Sequence, residues 1–331
     1  MSAGGLVTLG ETMGLVLQAQ SGPVRNGEPM SFAIGGSESN VAIAVRRLGV
    51  PATWIGRVGG DPPGDLIVRE LHAERVEVVA TRDAAPTGLM VRWRPTPGRG
   101  RVTYYRRDSA GSHLSADDVA SERVAAAGVL HVTGITPALG DGPAGAVDAA
   151  IAAARAAGVP VSLDLNYRSA LWAPEEAASA LGRLVPGVDV VFGGLEEAWL
   201  VAGEPPGVHD AAARVDGAEL RDAAHRAAGA LCALGATDAV IKLGAAGCVA
   251  RIGGETFDLP ARRVQAVDTV GCGDAFVAGF LAELLAGTPP AERLATAVAA
   301  GAFAATVPGD WEGAPRREDL ALVEVSEPVQ R

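Results

Sequence analysis

The stretch Asp268-Thr-Val-Gly-Cys-Gly-Asp274 lies between a strand-like run and a long helical pattern, Asp274–Ala286, which closes at Gly287 ahead of Pro289-Pro290. Gly271 and Gly273 let the backbone fold tightly with its N–H groups turned inward. Those amides sit at a helix N-terminus, where the dipole favours an anion. A carboxylate at 274 is out of place beside such an anion unless it takes a proton from a reacting group. The plainer reading, a glycine turn with Asp274 capping the helix, stays open at this point.

Working outward, short β-type runs alternate with Ala-rich helical stretches. Leu6–Leu9, Val129–Thr133, Val159–Leu165, Val188–Phe192 and Ala239–Leu243 read as strands. Helical patterns cover Glu38–Leu48, Gly145–Ala157, Arg221–Leu234 and Ala291–Thr306, the first two closed by Gly49 and Gly158. This alternation predicts an α/β fold: a doubly wound, mostly parallel sheet flanked by helices, as one domain over residues 1–331. Two segments, approximately 12–34 and 87–107, alternate polar and apolar residues without a helical signal, and the second reads as a hairpin. They predict a small β-sheet lid inserted in the domain. Gly203–Asp216 reads as a surface loop.

Several function classes drop out. A net charge of −11 argues against a nucleic-acid binder, whose affinity rests on phosphate neutralisation. With 48% apolar residues the chain is too hydrophobic for general disorder. No uninterrupted apolar stretch is long enough to span a bilayer, and Met1–Gly10 lacks a basic residue ahead of its short apolar run, so the expectation is a cytoplasmic protein with no membrane partner. The three cysteines form no C-x-x-C pair. The one lysine, Lys242, follows Ile241, so no Walker A sequence occurs. The nearest run to G-x-G-x-x-G fails at Phe276, which disfavours a Rossmann dehydrogenase.

The pattern resembles the ribokinase/PfkB family of carbohydrate kinases. Asp268–Asp274 matches that family's D-T-x-G-[AC]-G-D signature, and Gly35-Gly36-Ser37-Glu38-Ser39-Asn40, followed by Gly56-Arg-Val-Gly-Gly-Asp61, matches its N-terminal one. Asp164-Leu-Asn166-Tyr-Arg168 matches D-x-N-x-R, and Lys242-Leu-Gly244-Ala245-Ala-Gly247 the strand-turn on the nucleotide side; the likeness runs from about Gly10 to Pro315. The resemblance implies a ribokinase-like fold and a set of roles. Asp274 would be the general base, and Gly271, Cys272 and Gly273 would form the anion hole for the γ-phosphate. Asp268 would contact sugar hydroxyls. ATP would lie along Lys242, Gly244, Ala245 and Gly247 with Asn166 near its phosphates, and Mg²⁺ would bridge phosphate oxygens; a monovalent cation is a third candidate cofactor. Glu197 would reach the Mg²⁺ through water, although Gly194 replaces the Asn of the family's N-x-x-E segment. Asp61 is a further candidate site residue; surface acids are the plainer reading of both Asp61 and Glu197. Cys272 reads as a small filler, although a helix N-terminus can lower a thiol's pKa. For Lys242, chance placement at a strand end remains an alternative.

The segment Arg92–Arg107 holds six arginines and no acidic residue, leaving 22 of the 28 basic residues to face all 39 acidic ones. Solvated hairpin positions account for most of these arginines. An acid sugar, however, needs such cations, because arginine can grip a carboxylate with two hydrogen bonds. Tyr104-Tyr105-Arg106, Arg168 and Gly309-Asp-Trp-Glu resemble the 2-keto-3-deoxygluconate kinases of the family. That likeness implies a substrate site of Gly35, Tyr104, Arg106, Arg168, Asp268 and Asp274, extended by Gly36 to Asn40 and Tyr105. Met90 stands where those relatives carry a substrate-contacting tyrosine. The implied activity is ATP-dependent phosphorylation of 2-keto-3-deoxygluconate at its terminal hydroxyl, giving the 6-phosphate. Alternatives are a fructokinase, a ribokinase-like enzyme or a kinase of another acid or keto sugar. Trp93 on an open hairpin edge suggests a homo-oligomer.

Overall fold

The computed structural model describes residues 4–96, 99–203 and 217–323. The chain enters through β1 (Leu6–Leu9) and an excursion of two strands, β2 (Met13–Gln18) and β3 (Met30–Gly35). It then forms α1 (Ser37–Arg47), β4 (Ala52–Gly59), α2 (Pro62–Ala73) and β5 (Glu77–Asp83), followed by the hairpin β6 (Leu89–Thr96) and β7 (Arg99–Tyr105). A short α3 (Ser121–Ala125) leads to β8 (Val129–Thr133), α4 (Asp141–Ala157), β9 (Val161–Asp164), α5 (Pro174–Leu184), β10 (Val190–Gly194) and α6 (Leu195–Ala202). The remainder is α7 (Gly217–Ala233), β11 (Asp238–Lys242), β12 (Cys248–Ile252), β13 (Glu255–Leu259), α8 (Cys272–Ala286) and α9 (Pro290–Ala304).

Nine strands form the main sheet in the order β13-β12-β11-β10-β9-β8-β1-β4-β5. Seven pair in parallel, while β12 and β13 close one edge antiparallel. The winding runs outward from β1 in one direction and then, from β8, in the other. Both faces are covered, so β1, β8 and β9 are buried at every residue, as a doubly wound parallel sheet demands. Strand alternation sorts the core: Val129 of β8 packs with Trp54 and Phe280 on one face, and Leu130 and Val132 with Ile151 and Leu231 on the other. Gly158 and Gly287 close α4 and α8 in the left-handed region that favours glycine.

The segments near 12–34 and 87–107 form a second, four-stranded sheet in the order β3-β2-β6-β7. It is mixed: β2 and β6 run parallel and the outer pairs antiparallel. The run before Asp268 differs from the expectation. The last strand ends at Leu259 and the chain continues to the glycine turn without pairing. The surface loop expected near 203–216 lies, beyond Gly203, outside the described residues.

Candidate active site

The parallel strands of the main sheet deliver polar groups at their carboxyl ends, where open α/β sheets present ligand sites. Glu11 follows β1, Asp164 ends β9, Gly194 ends β10 and Lys242 ends β11. The small sheet lies across this end. Two adjoining cavities, of about 670 and 320 Å³, fill the space between. Asp274, Gly271, Asp310, Met90, Tyr104 and Arg168 line both of them.

Gly271 begins α8 with φ +74°, and a methyl group there would collide with the carbonyl oxygen of Asp310. Only glycine satisfies both constraints. At this turn the Cys272 amide makes a long bond to the Thr269 carbonyl at 3.4 Å, while the Gly273 and Asp274 amides have no backbone acceptor among the described residues, beside the junction of the cavities. Asp274 does not cap this helix. Its carboxylate, three residues into the helix numbering from Gly271, accepts hydrogen bonds from Ser37 Oγ at 2.7 Å and Asn40 Nδ2 at 2.7 Å. Asn166 donates to Ser37 Oγ at 2.7 Å and holds φ +41°, a left-handed conformation that asparagine tolerates. Burial pushes Asp274 up to about 6; the Asn40 and Ser37 hydrogen bonds pull it down, Asp164 adds to the rise and Lys242 opposes it.

The larger cavity carries Lys242, Glu197, Thr269 and Gly273 with apolar walls from Leu195, Leu220 and Leu243. Lys242 Nζ donates to both oxygens of Asp164, at 2.8 and 2.7 Å. Burial works against that ammonium, but the charges of Asp164 and Glu197 overcome it and hold it cationic. Glu197 accepts the amides of Tyr167 at 2.9 Å and Gly194 at 2.6 Å. The smaller cavity carries Gly36, Ser37, Glu38, Asn40, Arg106 and Tyr167. Arg106 is tied to buried Glu11, with Nε and Nη2 both on one carboxylate oxygen at 2.7 and 2.6 Å, which leaves its Nη1 side for another partner. Arg168 makes no ion pair among the described residues; its Nη1 donates to the Tyr167 carbonyl.

Other expected residues sit elsewhere. Tyr105, one position from Tyr104, falls on the opposite face of β7, is 64% exposed and lines neither cavity. Ser39 turns back to the Gly36 carbonyl. Glu38, although it borders the smaller cavity, is buried with its carboxylate held by Thr133 and Thr136, each donating at 2.6 Å, and burial raises its pKa against those bonds. Gly35 packs where a methyl would meet Met90 and the Asp310 carboxylate. Gly244, Ala245 and Gly247 form a turn beyond the cavity walls. Asp61 caps α2 and binds Thr87, and those hydrogen bonds outweigh burial to lower its pKa. The Cys272 thiol is pushed up to about 11 by burial and by Asp268 and Asp274, which suits a small filler rather than a reactive thiolate. Asp268 lines neither cavity; Arg92 and Arg94 hold it at 3.4 and 3.7 Å.

Sequence reasoning missed Asp310, Arg92, Asp164 and Glu11. Asp164 and Asp310 stood inside quoted motifs and Arg92 in the arginine count, but the partner of each of the four lies far along the chain. Asp310 and Arg92 are 218 residues apart and meet at 3.0 Å.

Residues 4–317 match the model of the pfkB family carbohydrate kinases. The chain is 34% identical over 323 residues to the 2-dehydro-3-deoxygluconokinase of Bacillus subtilis (strain 168), covering 95% of this chain and 94% of that one. It is also 34% identical over 307 residues to the 2-dehydro-3-deoxygalactonokinase of Haloferax volcanii, covering 92% of each. The solved structure of a PfkB protein from Polaromonas sp. JS666 superposes with a TM-score of 0.82 at 30% identity, covering 96% of this chain and 99% of that one. Two cavities meeting at a carboxylate and a helix N-terminus, on a sheet wound this way, agree with those matches: the chain belongs to the pfkB family of carbohydrate kinases.

Proposed function

We propose that this kinase transfers the γ-phosphate of ATP to the terminal hydroxyl of 2-keto-3-deoxygluconate, giving the 6-phosphate. The observation that carries the reading is the position of Asp274, where the two cavities join beside the α8 amides. A hydroxyl entering from the smaller cavity meets the carboxylate, and a phosphoryl group in the larger cavity meets the amides. Asp274 takes the hydroxyl proton as the new P–O bond forms, and the leaving diphosphate remains in the larger cavity. The amides of Gly271 to Gly273, the helix dipole and Lys242 stabilise the charge that spreads over the phosphoryl oxygens. The apolar walls of Leu195, Leu220 and Leu243 suit a nucleobase.

Mg²⁺ fits this donor set as a phosphate-borne ion. It prefers oxygen ligands and keeps several waters. Among the described residues no three His, Cys, Asp or Glu side chains cluster as a protein-only site. Glu197 lines the cavity and would hold the ion through a water, and the ion supplies charge neutralisation on the phosphates.

An acid sugar is favoured because Arg106 and Arg168 both line the smaller cavity, and Arg168 makes no ion pair among the described residues. The 2-keto-3-deoxygalactonate reading stays close, since Met90, buried opposite Tyr104, offers no hydroxyl to fix a ring configuration. ADP release measured across a panel of acid and neutral sugars tests the reading: 2-keto-3-deoxygluconate should give the highest kcat/KM, and a preference for fructose or ribose would overturn it.

A further inference from the structure

The inner face of the small sheet carries a charge that its covering role does not require. Leu15, Met90, Arg92, Val102 and Tyr104 line the larger cavity from this sheet. Arg92 is the one ionised side chain among them and is only 8% exposed. A buried guanidinium is costly unless matched, and this one is matched from outside its own sheet. Its Nη1 lies 3.0 Å from Asp310 Oδ1 and its Nη2 3.4 Å from Asp268 Oδ2. Asp268 opens the glycine turn, accepting from the amides of Val270 at 3.2 Å and Gly309 at 3.4 Å. Asp310 closes over the same turn, its backbone against Gly271. Arg92 therefore spans the two chain segments that hold the start of α8.

We propose that Arg92 is a positioning residue for phosphoryl transfer: from the small sheet it fixes Asp268 and Asp310 around the α8 turn and supplies the counter-charge those carboxylates need. This rests on the reading that transfer occurs at Asp274. The fork matters, because its rigid plane lets one nitrogen hydrogen-bond Asp310 while the other stays in ion-pair range of Asp268, a placement a lysine's flexible point charge does not fix. The local balance matters as well. Burial pushes Asp310 up to about 7; Arg92 opposes that rise, while Glu312, Asp274 and Asp268 add to it. Without Arg92, Asp310 keeps its proton to higher pH, and Asp268 and Asp310 lose the cation between them, leaving Asp268 only the more distant Arg94 at 3.7 Å.

The test uses the full-length enzyme and whichever sugar it phosphorylates best in the panel, so a wrong sugar assignment does not decide it. For Arg92→Met, kcat should fall about 10- to 100-fold with KM for ATP changing little, and the acid limb of kcat should move up by about one pH unit. Arg92→Lys should restore part of the rate and part of the shift. An acceptor-free measurement accompanies this. Loss of melting temperature in Arg92→Met should be larger at pH 8.5 than at pH 5.5, and a second change, Asp310→Asn, should relieve it. An unmoved acid limb, or a stability loss that is equal at both pH values and persists in the double variant, overturns the proposal. If Arg92→Met does not fold, Arg92→Lys carries the same measurements: an acid limb displaced by less than the full unit supports the proposal, and an unmoved one overturns it.

Discussion

At the residue scale, Asp274 combines two demands that conflict in an ordinary helix terminus. On the proposed reading it must remain a base, and it must sit where an anion arrives. The hydrogen bonds from Ser37 and Asn40 hold it in place, and burial lifts its pKa to about 6, so it is ionised near neutrality yet basic enough to accept a proton. Asp274→Asn should lower kcat by about a thousandfold or more while calorimetry still detects ATP binding. Stability should respond in the opposite sense. A carboxylate whose folded pKa lies above its unfolded value binds more protons in the native state between the two, so stability falls as pH rises from about 3.8 towards 6. The full cost above that window is at most about 3 kcal/mol. Asp274→Asn removes it, so the melting temperature of the variant relative to the native protein should rise between pH 4 and pH 8. The sequence showed Asp274 and the glycines of its turn. It could not show that Ser37, Asn40 and Asn166 serve the carboxylate, because those contacts span more than a hundred residues.

At the scale of elements, periodicity made β1, β8, β9, β10 and β11 legible as continuous apolar runs, and the glycines after α1, α4 and α8 marked their ends, but it did not single out β4, β5, β12 and β13 or helices α2, α5 and α6. The glycine turn was legible as well, but not its necessity. Gly271→Ala introduces a methyl where the Asp310 carbonyl already sits, at a φ that alanine avoids. It should cost about 2 kcal/mol or more in chemical denaturation and abolish most turnover, whereas Gly273→Ala, whose nearest neighbour would be Lys242 Nζ at 3.7 Å, should perturb folding far less. In the small sheet the alternation rule was available in the sequence, and it separates Tyr104 from Tyr105. Tyr105→Ala should leave kcat/KM within about twofold, as surface changes do, while Tyr104→Ala should raise the sugar KM. Met90→Tyr should sharpen discrimination between the gluconate and galactonate acceptors in a competition assay. What periodicity could not give was the path before Asp268, which joins no strand and instead donates the Val267 and Asp268 amides to the Ala305 carbonyl after α9.

At the scale of the whole molecule, the arginine-rich hairpin proves to be less bare than its composition suggests. Arg92 and Arg106 both meet carboxylates from distant segments, so they add little net positive field. Of the two arginines that line the smaller cavity, Arg168 makes no ion pair among the described residues, and it lies outside the hairpin. Arg168→Ala should raise KM for an acid sugar about 10- to 100-fold and barely alter that for fructose. Arg106→Ala should do the same but also destabilise the protein, because Glu11, 3% exposed, is left buried without its partner; Glu11→Gln in the same chain should recover part of the loss in a denaturation series. Charge counting located the basic segment, and only tertiary pairing showed which cations are spent. The span of the contacts around Asp274 also bears on how the molecule comes into being. Ser37 lies 237 residues before it and Arg92 lies 218 before Asp310. Contacts of such separation close late in folding, after the local helices and hairpins have formed. A nascent chain therefore cannot form the α8 turn until residues 268–274 leave the ribosome, and one cut short before them has the carboxyl ends of the parallel strands without the carboxylate that Ser37 and Asn40 hold.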